Sequence, residues 1–122
     1  MGEGEGVNIV LERIYVNTDQ KGFRVLVDRL WPRGISKTDA NLDAWWKDLA
    51  PSSELRQWFG HDPEKWSEFR RLYLKELSKH KNLAKDCLSE VSNDLILLYA
   101  AKDEKHTHAK VLCEYLQKLS ND

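Results

Sequence analysis

Apolar and polar positions change rhythm several times along this chain of 122 residues. Asn8 to Tyr15 mixes the two in the manner of a strand, and Phe23 to Asp28 is a second, more apolar strand. The turn-rich Asn17 to Gly22 between them is too short for a helical crossover, which predicts an antiparallel pair. A long helical region is expected next. In it Leu42, Trp45, Trp46 and Leu49 fall at i, i+3, i+4 and i+7, the spacing of one apolar helix face. Pro51 ends that helix, and Ser52 or Ser53 can cap a short one running to Trp58. Gly60 stops it. Asp62-Pro63 then supplies a cap residue followed by proline at the first helical position, and Trp66, Phe69, Tyr73 and Leu77 line one face of the helix that starts there.

A shorter helix, about Asn82 to Glu90, leads to Leu95-Ile96-Leu97-Leu98-Tyr99-Ala100-Ala101. A continuous apolar run of this kind suits a strand covered on both faces. The last helix begins near Thr107, with Ala109, Leu112, Leu116 and Leu119 on its inner side. Strand, helices, strand, helix reads as a right-handed crossover that makes the second and third strands parallel. The expected fold class is therefore α/β. It is a single compact domain over 1–122, with a small mixed sheet, a parallel pair joined by a helical crossover, and helices packed on it. Residues 1–6 read as a flexible terminus. Their glycines precede a strand, whereas a dinucleotide-binding loop follows one and opens a helix.

Composition acts mainly by exclusion. Lys+Arg 19 against Asp+Glu 20 leaves a net charge of −1, which argues against a general nucleic-acid binder. No stretch approaches the roughly 18 apolar residues of a membrane helix, and no secretory signal precedes the domain. Cys87 and Cys113 form neither CxxC nor a metal-ligand spacing, so both are expected to be buried, inert thiols in a reducing cytoplasm. There is no GxSxG, Walker loop, HExxH or Cys-x5-Arg, and no cofactor is expected.

What remains is a set of polar residues where a ligand would be met. Ligands of open α/β sheets tend to sit beyond the carboxyl ends of the parallel strands. Asp28-Arg29-Leu30-Trp31-Pro32-Arg33-Gly34 follows one such strand. Arg29 and Arg33 can form a fork for a carboxylate or phosphate, and Trp31 a stacking wall. Equally, Asp28 can pair with an arginine to pin the loop while Trp31 joins the core. The other strand end, Lys102 to His108, leads into a helix whose first N–H groups attract anions, with Lys102 adding charge. His106 and His108 form an HxH, but at a helix start their rings diverge by about 200°, so no metal is expected and a ligand-facing His108 is preferred. His61 in the His61-Asp62 turn is a proton carrier only if that turn folds over the strand ends. Asp62 is a helix cap first.

Three separate stretches then resemble one family. They are Val25 to Ile35, Ala50-Pro51-Ser52 with Leu55 to Pro63, and Leu97 to Asp103 with His106-Thr107-His108-Ala109. Together, in this order, they are similar to the YeaO-like family, a branch of a larger domain of unknown function. The resemblance runs from about Ile9 to Leu119. It implies a compact cytosolic bacterial-type α/β protein and implies no activity. Its motifs coincide with the strand ends and adjoining turn, which predicts one pocket built from Asp28, Arg29, Trp31, Arg33, His61, Asp62, Lys102, Asp103 and His108.

Two functions are compatible with these residues. In the first, a small anionic metabolite is bound or transformed. Arg29, Arg33 and Lys102 hold the anion, Trp31 stacks, Asp62 and Asp103 complete the lining, and His61 or His108 moves protons while Asp28 orients a neighbour. In the second, the domain is a non-catalytic interaction module, in which Trp45, Trp46, Trp58 or Trp66 form an exposed patch, for example for a homodimer.

Overall fold

The apolar run near residue 97 sits at the centre of the sheet, and every strand beside it runs in its direction. A computed structural model describes residues 7–16 and 18–121; the expected flexible terminus at 1–6 lies outside the described residues. The strands are β1 (Asn8–Arg13), β2 (Phe23–Leu26), β3 (Ala44–Trp45) and β4 (Asp94–Tyr99), in the order β1-β4-β2-β3, with each neighbouring pair parallel.

This corrects the antiparallel pairing expected of the first two strands, and with it the mixed sheet. The physical reason lies in β4. Leu95 to Leu98 are fully buried, and a strand apolar on both faces must lie inside the sheet rather than at its edge. It takes the place between β1 and β2. The link 14–22 instead carries the chain back to the other end of the sheet. In it, Thr18 donates a 2.8 Å hydrogen bond to Glu12 Oε2. The α/β class and the parallel pairing of β2 with β4 agree with expectation.

Alternation along the strands divides the core in two. Val25, Leu95, Leu97 and Tyr99 face a layer built by α2 (Ser53–Phe59), α3 (Trp66–Lys79), α4 (Lys81–Leu88) and α5 (His108–Ser120). Leu26, Ile96 and Leu98 face the opposite way, toward Trp31, Ile35, Leu42 and Trp45. The one-turn α1 (Lys37–Ala40) belongs to this second cover, capped by Ser36.

The helix expected over Leu42 to Leu49 is absent. Ala44–Trp45 is a short strand on the sheet edge, and Lys47–Leu49 is a single 3-10 turn. Leu42 and Trp45 pack on one side of the sheet while Trp46 and Leu49 pack on the other. A helical face would have put all four together. The remaining boundaries follow their punctuation. Ser52 accepts from the Leu55 N–H at the start of α2, Gly60 ends it at φ 54°, and Thr107 caps α5.

Candidate functional site

Beyond the last residues of β2 and β4 the chain leaves the sheet through Val27 to Gly34 and Ala100 to Thr107. These segments, with α2 and its following turn, enclose a cavity of about 600 Å³. Of the nine residues expected to share a pocket, eight line it. They are Asp28, Arg29, Trp31 and Arg33 from the first segment, His61 from the turn, and Lys102, Asp103 and His108 from the second. Asp62 does not. Its carboxylate accepts from the Glu64 N–H and caps the turn that precedes α3.

Asp28 is held on two sides. Its Oδ2 accepts from the Ala100 N–H at 2.9 Å, tying the ends of β2 and β4 together. No arginine pairs with it among the described residues; its neighbour is the imidazole of His108. The Nε2 of His108 lies 3.0 Å from the Val27 carbonyl and 3.2 Å from Asp28 Oδ1. A carbonyl can only accept, so Nε2 carries a hydrogen and donates it to Val27. Asp28 Oδ1 is buried and is left in electrostatic contact with the imidazole rather than in a hydrogen bond of its own.

The rest of the first segment is fastened through its backbone. The Trp45 indole donates to the Asp28 carbonyl at 2.7 Å, and the Tyr15 hydroxyl donates to the Arg33 carbonyl at 2.8 Å. Trp31 donates to the Ile35 carbonyl and packs edge-on against Trp45, so its ring belongs to the smaller core as well as to the cavity wall. Arg29 is also committed. Its guanidinium donates to the carbonyls of Pro51 and Ala50 at 3.1 and 3.2 Å. The expected Arg29–Arg33 fork is thus divided: Arg29 secures the 50–51 segment, and Arg33 is exposed at the cavity.

The lining outside the expected set includes Arg56, Tyr15 and His106. Arg56 reaches the cavity from α2 and Tyr15 from the turn after β1. His106 donates its Nδ1–H to Asp103 Oδ2 at 2.8 Å, its ring edge-on to Trp66. Hydrogen bonding from His106 holds the Asp103 carboxyl below its ordinary range. His106 and His108 therefore engage different partners, and among the described residues no group of three or more His, Cys, Asp or Glu side chains converges to hold a metal. His61 stands in a left-handed conformation, φ 59°, directly after Gly60.

Comparison with known proteins identifies the family. Residues 8–122 match a family described as the inactive DUF488-N3 subclade. The chain belongs to that family. It is 44% identical over 116 residues to the uncharacterized protein YeaO of Escherichia coli K12, covering 93% of this chain and all of that one. It is 40% identical over 107 residues to Mb3100c of Mycobacterium bovis and to Rv3073c of Mycobacterium tuberculosis, in each case 85% of this chain and 89% of the relative. No solved structure matches. For this member of the DUF488-N3 subclade, a surface of four tryptophans does not form. Trp46 is buried, Trp45 and Trp66 are half-buried, and Trp58 alone is exposed, with Lys65 over its ring. No helix among the described residues is long and apolar enough to cross a membrane.

Proposed function

We propose that this protein binds a small anionic metabolite in the cavity at the carboxyl ends of β2 and β4, without transforming it. The observation that carries the reading is the state of the cavity's charged groups. Arg29, Arg33, Arg56 and Lys102 line it against two carboxylates, Asp28 and Asp103. Each carboxylate has an imidazole beside it. Arg33, Arg56 and Lys102 make no side-chain hydrogen bond or ion pair to the protein among the described residues, so their donors remain for a ligand. Phe59, Pro51 and Trp31 supply apolar wall, and the volume suits a metabolite-sized guest. The N-terminus of α5 adds a favourable dipole for an anion. The family's description as inactive favours binding over turnover. The two free thiols, half-buried rather than buried as expected, fit a reducing cytoplasm.

The test is thermal unfolding with inorganic phosphate and with succinate as probes. A ligand at about 100 times its Kd adds ~2.7 kcal/mol, which raises Tm by several degrees in a domain of this size. At least one probe is expected to give a concentration-dependent rise that Arg33→Ala combined with Lys102→Ala removes. If neither probe raises Tm, or the rise survives the double substitution, the reading fails.

A further inference from the structure

His108 enters the cavity with one ring nitrogen already spoken for. Nε2 donates to the Val27 carbonyl at 3.0 Å whatever the imidazole's charge, because that partner has no hydrogen to give. The proton that comes and goes therefore belongs to Nδ1, which has no protein partner among the described residues. Without that proton Nδ1 is an acceptor and repels an anion's oxygen. With it, Nδ1 becomes a cationic donor. We infer that His108 is a specificity residue of the cavity that donates Nδ1–H to a bound oxyanion, so that each anion bound takes up one proton. The inference rests on the anion-binding reading above.

The surroundings favour such a coupling. Asp28 Oδ1, buried and 3.2 Å from Nε2, faces the imidazole, and a buried carboxylate oxygen without a hydrogen bond of its own gains from a cation beside it. The N-terminus of α5, on which His108 is the first helical residue, acts in the opposite direction. So do the cavity cations Arg29, Arg33, Arg56 and Lys102. On the side of α3 the ring meets Tyr73 edge-on, with Glu76 near that phenol. His61, Asp103 and His106 also line the cavity, and the next position but one along α5 is the exposed Lys110. An anion's oxygen facing Nδ1 is held by the protonated ring and repelled by the neutral one. Linkage is reciprocal: the anion favours the proton, and the proton favours the anion to the same extent.

Sulfate is the probe, because it does not titrate between pH 5 and 8 and any pH dependence then comes from the protein. Sulfate affinity measured by calorimetry is expected to fall by up to about tenfold per pH unit across the upper part of the imidazole range. His108→Gln, whose amide can still donate to Val27, is expected to lose this slope, and His80→Gln, outside the cavity, to keep it. Long-range ¹H–¹⁵N NMR of the unmutated protein gives a second readout. Nε2 should look protonated throughout, and Nδ1 should change from unprotonated to protonated when sulfate is added at pH 7.5. Binding of sulfate with no pH dependence, a slope that survives His108→Gln, or a hydrogen on Nδ1 rather than Nε2 in the neutral ring overturns the inference while leaving anion binding intact. No sulfate binding at any pH, together with the absence of a Tm rise in phosphate and succinate, removes the binding reading itself.

Discussion

The phenol of Tyr73 lies in the middle of the helical layer, yet its oxygen has work to do there. It donates a 2.6 Å hydrogen bond to the Leu49 carbonyl, fixing the segment that Arg29 holds one and two residues further on. Tyr73→Phe preserves the ring and leaves that carbonyl without its donor. A loss of about 1–3 kcal/mol follows, to be measured by urea unfolding. Gly34 provides a contrast in which backbone alone decides. Its φ is +79°, and a Cβ there would meet nothing within 4 Å. Gly34→Ala should therefore cost about 1 kcal/mol through conformational strain without any clash. A neutral result in either variant would mean that the Val27–Gly34 exit or the 49–51 segment relaxes more freely than these contacts allow.

At the scale of elements, the legible parts of the sequence were those whose meaning is local. Caps at Ser52, Asp62 and Thr107 and the stop at Gly60 bond to residues a few positions away, so the chain itself spells them out. The strand ends were legible for the same reason. Asp28 to Arg33 and Lys102 to His108 simply follow their strands, which is why most of the candidate residues meet. Arg56 and Tyr15 gave no such sign, because they reach the cavity only once α2 and the turn after β1 have folded across the sheet. The stretch from Leu42 to Leu49 misleads because its spacing fits a helix face while its side chains divide between the two faces of the sheet. Substitution can read that division directly. Trp46, 6% exposed and tilted against Phe23 at 6.5 Å, belongs to the main core. Trp46→Ala should cost about 3–5 kcal/mol. Trp58, 42% exposed with only Lys65 over its ring, should tolerate Ala at a cost below about 1 kcal/mol. A large loss at Trp58 would instead indicate a surface that is covered in solution.

For the molecule as a whole, the groups that burial penalises most clearly are weak acids, and this fixes how stability responds to alkali. Burial, reinforced by Glu76, raises the Tyr73 phenol well above its ordinary value. Burial, with Glu90 and Asp86 nearby, pushes the Cys87 thiol up to about 11. Burial also raises Cys113, Tyr99 and Tyr115. Each of these binds its proton more tightly folded than unfolded. Their contribution to stability is thus complete below the unfolded-chain values and is lost as pH climbs toward the folded ones. Tm should hold steady between pH 7 and 8 and decline from about pH 9 upward. Lysines also lose charge in that range, so the informative quantity is the difference between variants. Cys87→Ala should flatten the decline between pH 9 and 11. Tyr73→Phe, although less stable at neutral pH, should flatten it at the upper end, where the core phenol would otherwise have to ionise. The same protonated thiol should alkylate with iodoacetamide at pH 8 at least about tenfold more slowly than free cysteine, since only the thiolate reacts. An unchanged slope in both variants would assign the alkaline loss to the surface charges rather than to the acids enclosed by the helical layer.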